Sequence, residues 1–230
     1  MDMNKAMIQF SGWICLCLML AACASHRPPT LHPSSFKGVI RVACIGDSIT
    51  YGAGIENREA NSYPAVLERL WGTKFQVGNF GVSGATLLKK GDKPYGNQPE
   101  FAAAADFAPQ VVIIKLGSND TKPENWRFGN EFASDLRALI EQFQRLPSKP
   151  HVWLCLPVPV YETRWGINEK TLGEEVIPAI LQVAQDKRLP IIDLHAALSN
   201  RPELFPDKVH PNADGAALMA KTIRDALLAK

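Results

Sequence analysis

The sequence predicts an α/β protein, a three-layer α/β/α sandwich in which helices cover both faces of a five-stranded parallel sheet. The first observation is that five short apolar runs alternate with longer stretches whose apolar residues recur at spacings of three and four. The second is that the runs are nearly continuous, as in strands buried on both faces. The third is the composition, 46% hydrophobic and 21% charged, which excludes disorder, collagen and coiled coil as descriptions of the whole chain.

The elements follow from these patterns in chain order. The predicted strands cover residues 39–45, 75–80, 111–116, 152–156 and 191–194. The predicted helices cover residues 62–71, 128–146, 171–187 and 212–228. Asn212 is placed to cap the last helix, and Asp214 suits the positive end of its dipole. Because ligands of parallel sheets bind beyond the carboxyl ends of the strands, the residues that follow each strand are the candidates for chemistry.

Ahead of these elements lies a leader, predicted as residues 1–22. Residues 6–22 carry no charge and lead into Leu20-Ala21-Ala22-Cys23. Small residues before a cleavage point are typical of a secretory signal, and the added cysteine resembles the lipobox of bacterial lipoproteins. The resemblance implies that Cys23 is lipidated and becomes the mature N-terminus. A plain signal peptide and an uncleaved anchor remain alternatives, although the apolar run is short for a membrane-spanning helix.

After the predicted lipidation site, residues 23–35 are rich in Pro, Ser and Thr and are predicted to form a flexible tether. The folded domain is predicted to cover residues 36–230. Since Ala24 rather than an aspartate follows Cys23, the resemblance to Gram-negative lipoproteins favours the outer membrane, with the domain in the cell envelope, facing the periplasm or the surface. Contact with the membrane is expected through the lipid anchor only.

Charge and cysteine content exclude several functions. The net charge is +2, and there is no basic run, so nothing in the sequence supports nucleic acid binding. The five cysteines show no CxxC or Cys/His spacing, which argues against a disulfide-rich scaffold and a zinc site, and we expect no metal or organic cofactor. Cys44 and Cys155 lie in strand-like runs. Buried free thiols are expected there, and a disulfide between them remains an alternative.

Four polar motifs stand where the fold would place a site. Taken singly each is weak, because turns and helix caps use the same residues. Three follow predicted strands and the fourth precedes the last helix; they read Gly46-Asp47-Ser48, Asn79-Phe80-Gly81-Val82-Ser83-Gly84, Gly117-Ser118-Asn119-Asp120 and Asp207-Lys208-Val209-His210. In this order they resemble the blocks of the SGNH/GDSL hydrolase family, and the segments around the first two resemble its sialate or xylan O-acetylesterase branch.

The resemblance implies a flavodoxin-like SGNH hydrolase fold and a Ser-His-Asp mechanism. It assigns Ser48 as the nucleophile and Asp207 and His210 as the other members of the triad. It assigns the oxyanion hole to the backbone N–H groups of Ser48 and Gly84 and to the side-chain amide of Asn119. The glycine motif also offers Gly81; Gly84 is preferred because the family's glycine lies five residues after the asparagine. The supporting residues are Asp47, Asn79 and Asp120.

These residue types suit ester hydrolysis. A serine hydroxyl is a poor nucleophile until a base removes its proton, and histidine, oriented by a carboxylate, can do this near neutral pH. Removing one oxyanion donor typically costs about 3–4 kcal/mol. His195 follows the fifth predicted strand and is a weaker alternative for the base, because it lacks the Asp-x-x-His setting.

The predicted partner is an acylated small molecule or a glycan. A lipid-anchored family member outside the cytoplasm suits O-deacetylation of a carbohydrate. A lysophospholipase or thioesterase of the same family is one alternative, and a non-catalytic glycan-binding envelope lipoprotein is another. Five further residues lie in loops on the catalytic side, where aromatic side chains could stack on sugars or pack against the core or the rim; they are Tyr51, Trp126, Tyr161, Arg164 and Trp165. The sequence makes no prediction of the oligomeric state.

Overall fold

The computed structural model describes residues 30–228, and these form one parallel sheet with helices on both faces. The predicted leader, Cys23 and most of the predicted tether lie outside the described residues. The predicted fold class is confirmed. The sheet has the order β2-β1-β3-β4-β5, and the strands are β1 Ile40–Gly46, β2 Phe75–Gly81, β3 Val111–Lys115, β4 His151–Leu156 and β5 Ile191–Asp193.

The helices include the four predicted ones and several shorter ones. The α-helices are α1 Ser48–Tyr51, α2 Arg58–Asn61, α3 Tyr63–Trp71, α4 Pro99–Asp106, α5 Pro123–Trp126, α6 Phe132–Gln144, α7 Glu169–Thr171, α8 Ile177–Lys187, α9 Leu194–Leu198 and α10 Ala213–Leu227. Asn212 caps α10 by accepting a hydrogen bond from the N–H of Gly215 at 2.9 Å, as predicted. The predicted helix 171–187 is divided, because a π-helical turn at Leu172–Val176 precedes α8 and Pro178 has no N–H to continue an α-helical ladder.

The sheet order creates a crevice beside β1. The chain moves from β1 outward to β2, then crosses to β3 on the other side of β1 and continues to β4 and β5. The connection that leaves β1 and the connection that leaves β3 therefore run to opposite sides of the sheet. The place between these two strands is the topological switch point, where parallel sheets bind ligands. Gly46, the last residue of β1, is in register with Gly81 of β2 and Lys115 of β3. The loops that follow these three strands thus meet at one edge.

Two apolar layers cover the sheet. Successive residues of β1 point to opposite faces, so that Val42 and Cys44 belong to one cluster and Ala43 and Ile45 to the other. Helices α3, α9 and α10 cover the first face, and α4, α6 and α8 cover the second. Burial on both faces explains why the strands appear in the sequence as continuous apolar runs.

The folded body begins earlier than predicted. Leu31 is buried among the residues under α3 and α10, and its N–H donates to the carbonyl oxygen of Leu227 at 2.8 Å. A single turn of 3₁₀ helix follows at Pro33–Ser35. The predicted boundary at residue 36 is therefore too late, because the one large apolar side chain of the Pro- and Ser-rich stretch packs on the core.

The two cysteines of the sheet are free and buried, which matches the first of the two predictions made for them. Burial raises the pKa of the Cys44 thiol to about 12, although a hydrogen bond with Tyr63 acts in the opposite direction. Burial also raises the pKa of Cys155. Both groups therefore stay neutral and act as small apolar side chains. Within residues 30–228, no helix is long and apolar enough to cross a membrane.

Candidate active site

Ser48 stands at the tight turn between β1 and α1. The strand ends at Gly46, and Asp47 caps the short helix by accepting a hydrogen bond from the N–H of Ile49 at 3.0 Å. Ser48 is the first helical residue, and 6% of it is exposed. Its N–H has no partner within the helix, because the first N–H groups of a helix never do. The turn thus presents both the hydroxyl and a free N–H at the carboxyl edge of the sheet.

His210 and Asp207 reach Ser48 from the loop before α10. The Oγ of Ser48 lies 2.8 Å from Nε2 of His210, and Nδ1 of His210 lies 2.7 Å from Oδ2 of Asp207. The other carboxylate oxygen of Asp207 accepts the N–H groups of Val209 at 3.0 Å and of His210 at 2.7 Å. The three predicted triad residues are therefore brought together in one hydrogen-bonded chain, and the loop backbone fixes the carboxylate.

The Asp207 carboxyl group is held in its ionised form. Partial burial acts to raise its pKa, but the hydrogen bonds from the two backbone N–H groups and from the imidazole lower it below the ordinary value of aspartate. A carboxylate beside Nδ1 favours the imidazole tautomer that carries its proton there. Nε2 of His210 is then free to accept the proton of the Ser48 hydroxyl.

Three donors converge on the cavity in front of Ser48. The cavity has a volume of about 280 Å³, and its wall includes Ser48, Gly84, Asn119 and His210. Within residues 30–228, the backbone N–H groups of Ser48 and Gly84 donate to no acceptor. The amide of Asn119 donates one hydrogen to the carbonyl oxygen of Ala85 at 3.1 Å, which leaves its second hydrogen available. The predicted oxyanion donors thus surround one space beside the nucleophile.

The two glycines of the second motif have different roles. Gly84 lines the cavity with a φ of +82°, a conformation that side chains rarely adopt, and its N–H is free. Gly81 ends β2 with its N–H bound to Oδ1 of Asn79 at 3.0 Å. A Cβ on Gly81 would lie 2.1 Å from the backbone nitrogen of Tyr51, so this glycine permits β2 to pack against α1. Asn79 supports that turn and does not line the cavity.

Asp120 joins the glycine-containing loop to the loop after β3. It is fully buried, and its two carboxylate oxygens accept the N–H groups of Leu87 at 3.0 Å and Leu88 at 2.8 Å. Burial raises its pKa to about 7 against the effect of these hydrogen bonds, and the negative charge of Asp47 raises it further. Asp120 thereby fixes the position of Gly84 relative to the neighbouring Asn119.

Asn125 is a second link between these loops that the sequence did not reveal. Its amide donates to the carbonyl oxygen of Asn119 at 2.9 Å and to Oδ1 of Asp92 at 3.0 Å, and its Oδ1 accepts the N–H of Asp92 at 2.8 Å. An asparagine in a predicted loop has no distinctive sequence pattern. Its role depends on the fold, which buries it between the two loops.

A buried ion pair lies beneath the nucleophile, and sequence reasoning missed it. Nζ of Lys115 lies 3.0 Å from both carboxylate oxygens of Asp47 and 3.0 Å from Oγ of Ser118. The side chains of Lys115 and Asp47 are fully buried. Asp47 precedes the nucleophile and Ser118 precedes the oxyanion amide, so the ammonium group holds the two loops together. The signal was present as a single lysine in the otherwise apolar strand Val111–Lys115.

The alternative base is engaged elsewhere. Nε2 of His195 lies 2.8 Å from Oε1 of Glu169, and this hydrogen bond raises the pKa of His195 above its ordinary value. His195 connects α9 to α7 and does not line the cavity of Ser48. The part of the chain that the structure describes has no cluster of three or more His, Cys, Asp or Glu residues arranged to hold a metal ion.

Comparisons with known proteins find similar esterases. The model of the GDSL-like lipase/acylhydrolase family matches residues 44–218. The chain is 42% identical over 213 residues to an acetylxylan esterase of Xylanibacter ruminicola, covering 85% of this chain and 44% of that protein. It is 24% identical over 229 residues to a multidomain esterase of Ruminococcus flavefaciens, covering 86% and 29% respectively. The chain thus spans less than half the length of these curated relatives.

Solved structures share the fold. Est24, a carbohydrate acetylesterase from Sinorhizobium meliloti, superposes with a TM-score of 0.67 at 19% identity, over 81% of this chain and 97% of that one. The aryl esterase of M. smegmatis superposes with a TM-score of 0.65 at 19% identity, over 82% and 100%. At this identity the likeness supports the architecture alone. The match of the family model over most of the chain, on the sheet and motifs described above, shows that the chain belongs to the GDSL-like lipase/acylhydrolase family.

Proposed function

We propose that this chain is a serine esterase that removes acetyl groups from a carbohydrate. The observation that carries the proposal is the hydrogen-bonded chain from Asp207 through His210 to Ser48, beside a cavity that Gly84 and Asn119 also line. Nucleophile, base, orienting carboxylate and oxyanion site are the parts that acyl transfer requires.

The first half-reaction forms an acyl-enzyme. Oγ of Ser48 attacks the ester carbonyl carbon while its proton moves to Nε2 of His210. The carbonyl oxygen takes up the electron pair of the π bond, and the N–H groups of Ser48, Gly84 and Asn119 stabilise the resulting oxyanion. The ester C–O bond then breaks, and the alcohol leaves with the proton from His210. The imidazolium that forms between these steps is stabilised by the Asp207 carboxylate.

The second half-reaction hydrolyses the acyl-enzyme. Water attacks the same carbonyl carbon and gives its proton to His210, and the second tetrahedral intermediate occupies the same oxyanion site. The intermediate collapses, the bond to Oγ of Ser48 breaks, and His210 returns the proton to the serine. Acetic acid leaves, loses its remaining proton to water to become acetate, and the enzyme is regenerated.

Two features support acetyl as the acyl group and a sugar as the alcohol. The cavity wall near the nucleophile contains the small residues Ala53, Ser83 and Gly84, which suits a short acyl chain. The relative at 42% identity is an acetylxylan esterase, and the aligned region covers 85% of this chain.

The test is acetate release from acetylated xylan, compared with short- and long-chain aliphatic esters. We expect wild type to release acetate from the glycan and Ser48→Ala to release none above background. Preference for long acyl chains would favour the lysophospholipase or thioesterase alternative. Absence of serine-dependent turnover on every ester would favour the non-catalytic glycan-binding alternative.

We also propose, from the leader sequence, that the chain is a lipoprotein anchored in the cell envelope through Cys23, in the outer membrane of a Gram-negative bacterium. Leu31 is already part of the folded body, and the stretch from Cys23 to Leu31 can span at most about 30 Å when extended, which would keep the domain close to the membrane. In cell fractionation we expect the wild-type chain in outer-membrane fractions and Cys23→Ser in other fractions. Equal distribution of both would contradict the proposal.

A further inference from the structure

An exposed tryptophan stands at the mouth of the catalytic cavity. Trp165 is 63% exposed, the highest value among the large apolar side chains of the described residues. It lines the same cavity as Ser48, and its ring centroid lies 5.7 Å from that of His210. An indole ring that is exposed to solvent beside the reacting groups is available to contact a ligand.

The ring is displayed at the tip of a two-residue hairpin. The N–H of Ile167 donates to the carbonyl oxygen of Arg164 at 2.8 Å, and the N–H of Arg164 donates to the carbonyl oxygen of Ile167 at 3.1 Å. The two residues between them, Trp165 and Gly166, have φ values of +50° and +81°. Positive φ at both central residues is the signature of a type I′ turn.

The hairpin is fixed against the loop that carries the oxyanion amide. Ile167 is buried in the core. The amide of Asn168 donates to the carbonyl oxygen of Thr121 at 2.8 Å and to that of Gly166 at 3.2 Å. Thr121 lies two residues after Asn119. A ring on such a fixed support loses little conformational freedom when a ligand binds.

The sequence of the turn is unfavourable for the turn itself. Type I′ turns prefer asparagine or glycine at their first central position, and a bulky residue at positive φ is a rare and strained case. The exposed ring of Trp165 gains little burial in exchange for this strain. Strained conformations that persist beside a cavity are typical of binding and catalytic sites. The turn alone therefore does not explain a tryptophan at this position.

We propose that Trp165 is a sugar-stacking platform, on which the apolar C–H face of a pyranose ring packs while its acetyl group enters the cavity of Ser48. The inference rests on the proposed function and names the contact that selects a glycan ester over a simple ester. A pyranose presents C–H groups on its faces and hydroxyl groups at its edge, which suits an indole face in a cavity wall that also carries the polar side chains of Asn119 and Lys122. The stacked ring would orient the acetyl carbonyl towards the nucleophile.

The test compares variants of Trp165 in the full chain on two substrates. Acetylated xylo-oligosaccharide carries a pyranose, whereas vinyl acetate carries neither a sugar nor an aromatic ring that could stack. For Trp165→Ala we expect kcat/KM on the oligosaccharide to fall by a factor of about 10–100, mainly through KM, and kcat/KM on vinyl acetate to change less than about threefold. Trp165→Phe should retain most of the activity on the oligosaccharide. Thr163→Ala is the matched control next to the hairpin, because Thr163 is exposed and does not line the cavity, and it should change kcat/KM on neither substrate.

A fourth variant separates binding from structure. Trp165→Asn creates the Asn-Gly pair that type I′ turns favour, so we expect it to raise Tm while it loses activity on the oligosaccharide. Unchanged kcat/KM on the oligosaccharide in Trp165→Ala would overturn the platform and leave the proposed function standing. Equal losses on both substrates would also overturn it, since the ring would then act by packing on His210. If wild type hydrolyses vinyl acetate but no acetylated glycan, the proposed function itself fails, and the platform with it.

Discussion

Removing the ammonium group of Lys115 is the perturbation whose consequences the structure defines most closely. Lys115→Met keeps the volume of the side chain approximately but leaves the Asp47 carboxylate fully buried, with the N–H of Ile49 as its remaining donor. Breaking a buried ion pair by removing one partner costs about 3–5 kcal/mol. The free energy of unfolding of a domain is about 5–15 kcal/mol, so we expect this variant to lose a large part of it.

Activity should fall with stability. Asp47 immediately precedes the nucleophile, and Ser118, the other partner of Lys115, immediately precedes the oxyanion amide. Release of both loops should misplace the hydroxyl and the amide, and we expect kcat to fall by a factor of about 10 or more, with a smaller effect on KM. Urea unfolding at pH 7 measures the first effect, and turnover on a short aliphatic acetate measures the second.

A double variant isolates the unpaired charge as the cause. Asn at position 47 keeps an oxygen that can accept the N–H of Ile49 but carries no charge. We therefore expect Lys115→Met combined with Asp47→Asn to be more stable than Lys115→Met alone. Lys90→Met, which breaks the exposed pair with Glu131, is the matched control and should cost about 1 kcal/mol or less. If Lys115→Met lost no more unfolding free energy than Lys90→Met, the buried ion pair would not have the expected effect on stability. If the double variant were less stable than Lys115→Met, the unpaired charge of Asp47 would not be the cause of the loss.

Two further predictions concern the oxyanion site and the triad carboxylate. Asn119→Ala should lower kcat by a factor of about 10²–10³ with little change in KM, whereas the exposed control Asn130→Ala should leave both unchanged; a loss confined to KM would contradict the assigned role. Because the pKa of Asp207 is lowered in the folded state, its contribution to stability is present above the unfolded-state value of about 3.9 and is lost as the pH falls through the folded-state value. The difference in unfolding free energy between wild type and Asp207→Asn should therefore shrink as the pH falls below about 4; a difference that grows as the pH falls through that range would contradict this.

The parts of the fold that depend on local pattern could be predicted from the sequence. The runs at 39–45 and 75–80 became β1 and β2 with shifts of about one residue, because strands buried on both faces appear as continuous apolar runs. Asn212 was recognised as a cap because its side chain bonds to a residue three positions away. The site residues were assigned by resemblance to the family's four motifs, and the parallel sheet explains why these motifs meet, since it brings the ends of its strands to one edge.

The parts that depend on long-range contacts could not be predicted. Lys115 lies in a run that looks apolar, and its partner Asp47 comes from another strand end. Leu31 appeared to belong to a tether because only the tertiary structure shows the core surface that covers it. The interruption before α8 was missed because the apolar spacing continues through Pro178. The platform residue Trp165 was one aromatic among several loop candidates until the fold placed it beside His210.

In the proposed mechanism, Ser48 forms the covalent intermediate. The cavity contains a second serine, Ser83, which provides an internal control. We would treat the protein with an organophosphonate that reacts with activated serines, measure the intact mass, and locate the modified residue in peptides. We expect one adduct per chain, located on Ser48, with parallel loss of esterase activity, the same adduct in Ser83→Ala, and none in Ser48→Ala. Modification of Ser83 instead, or full turnover by Ser48→Ala, would contradict it.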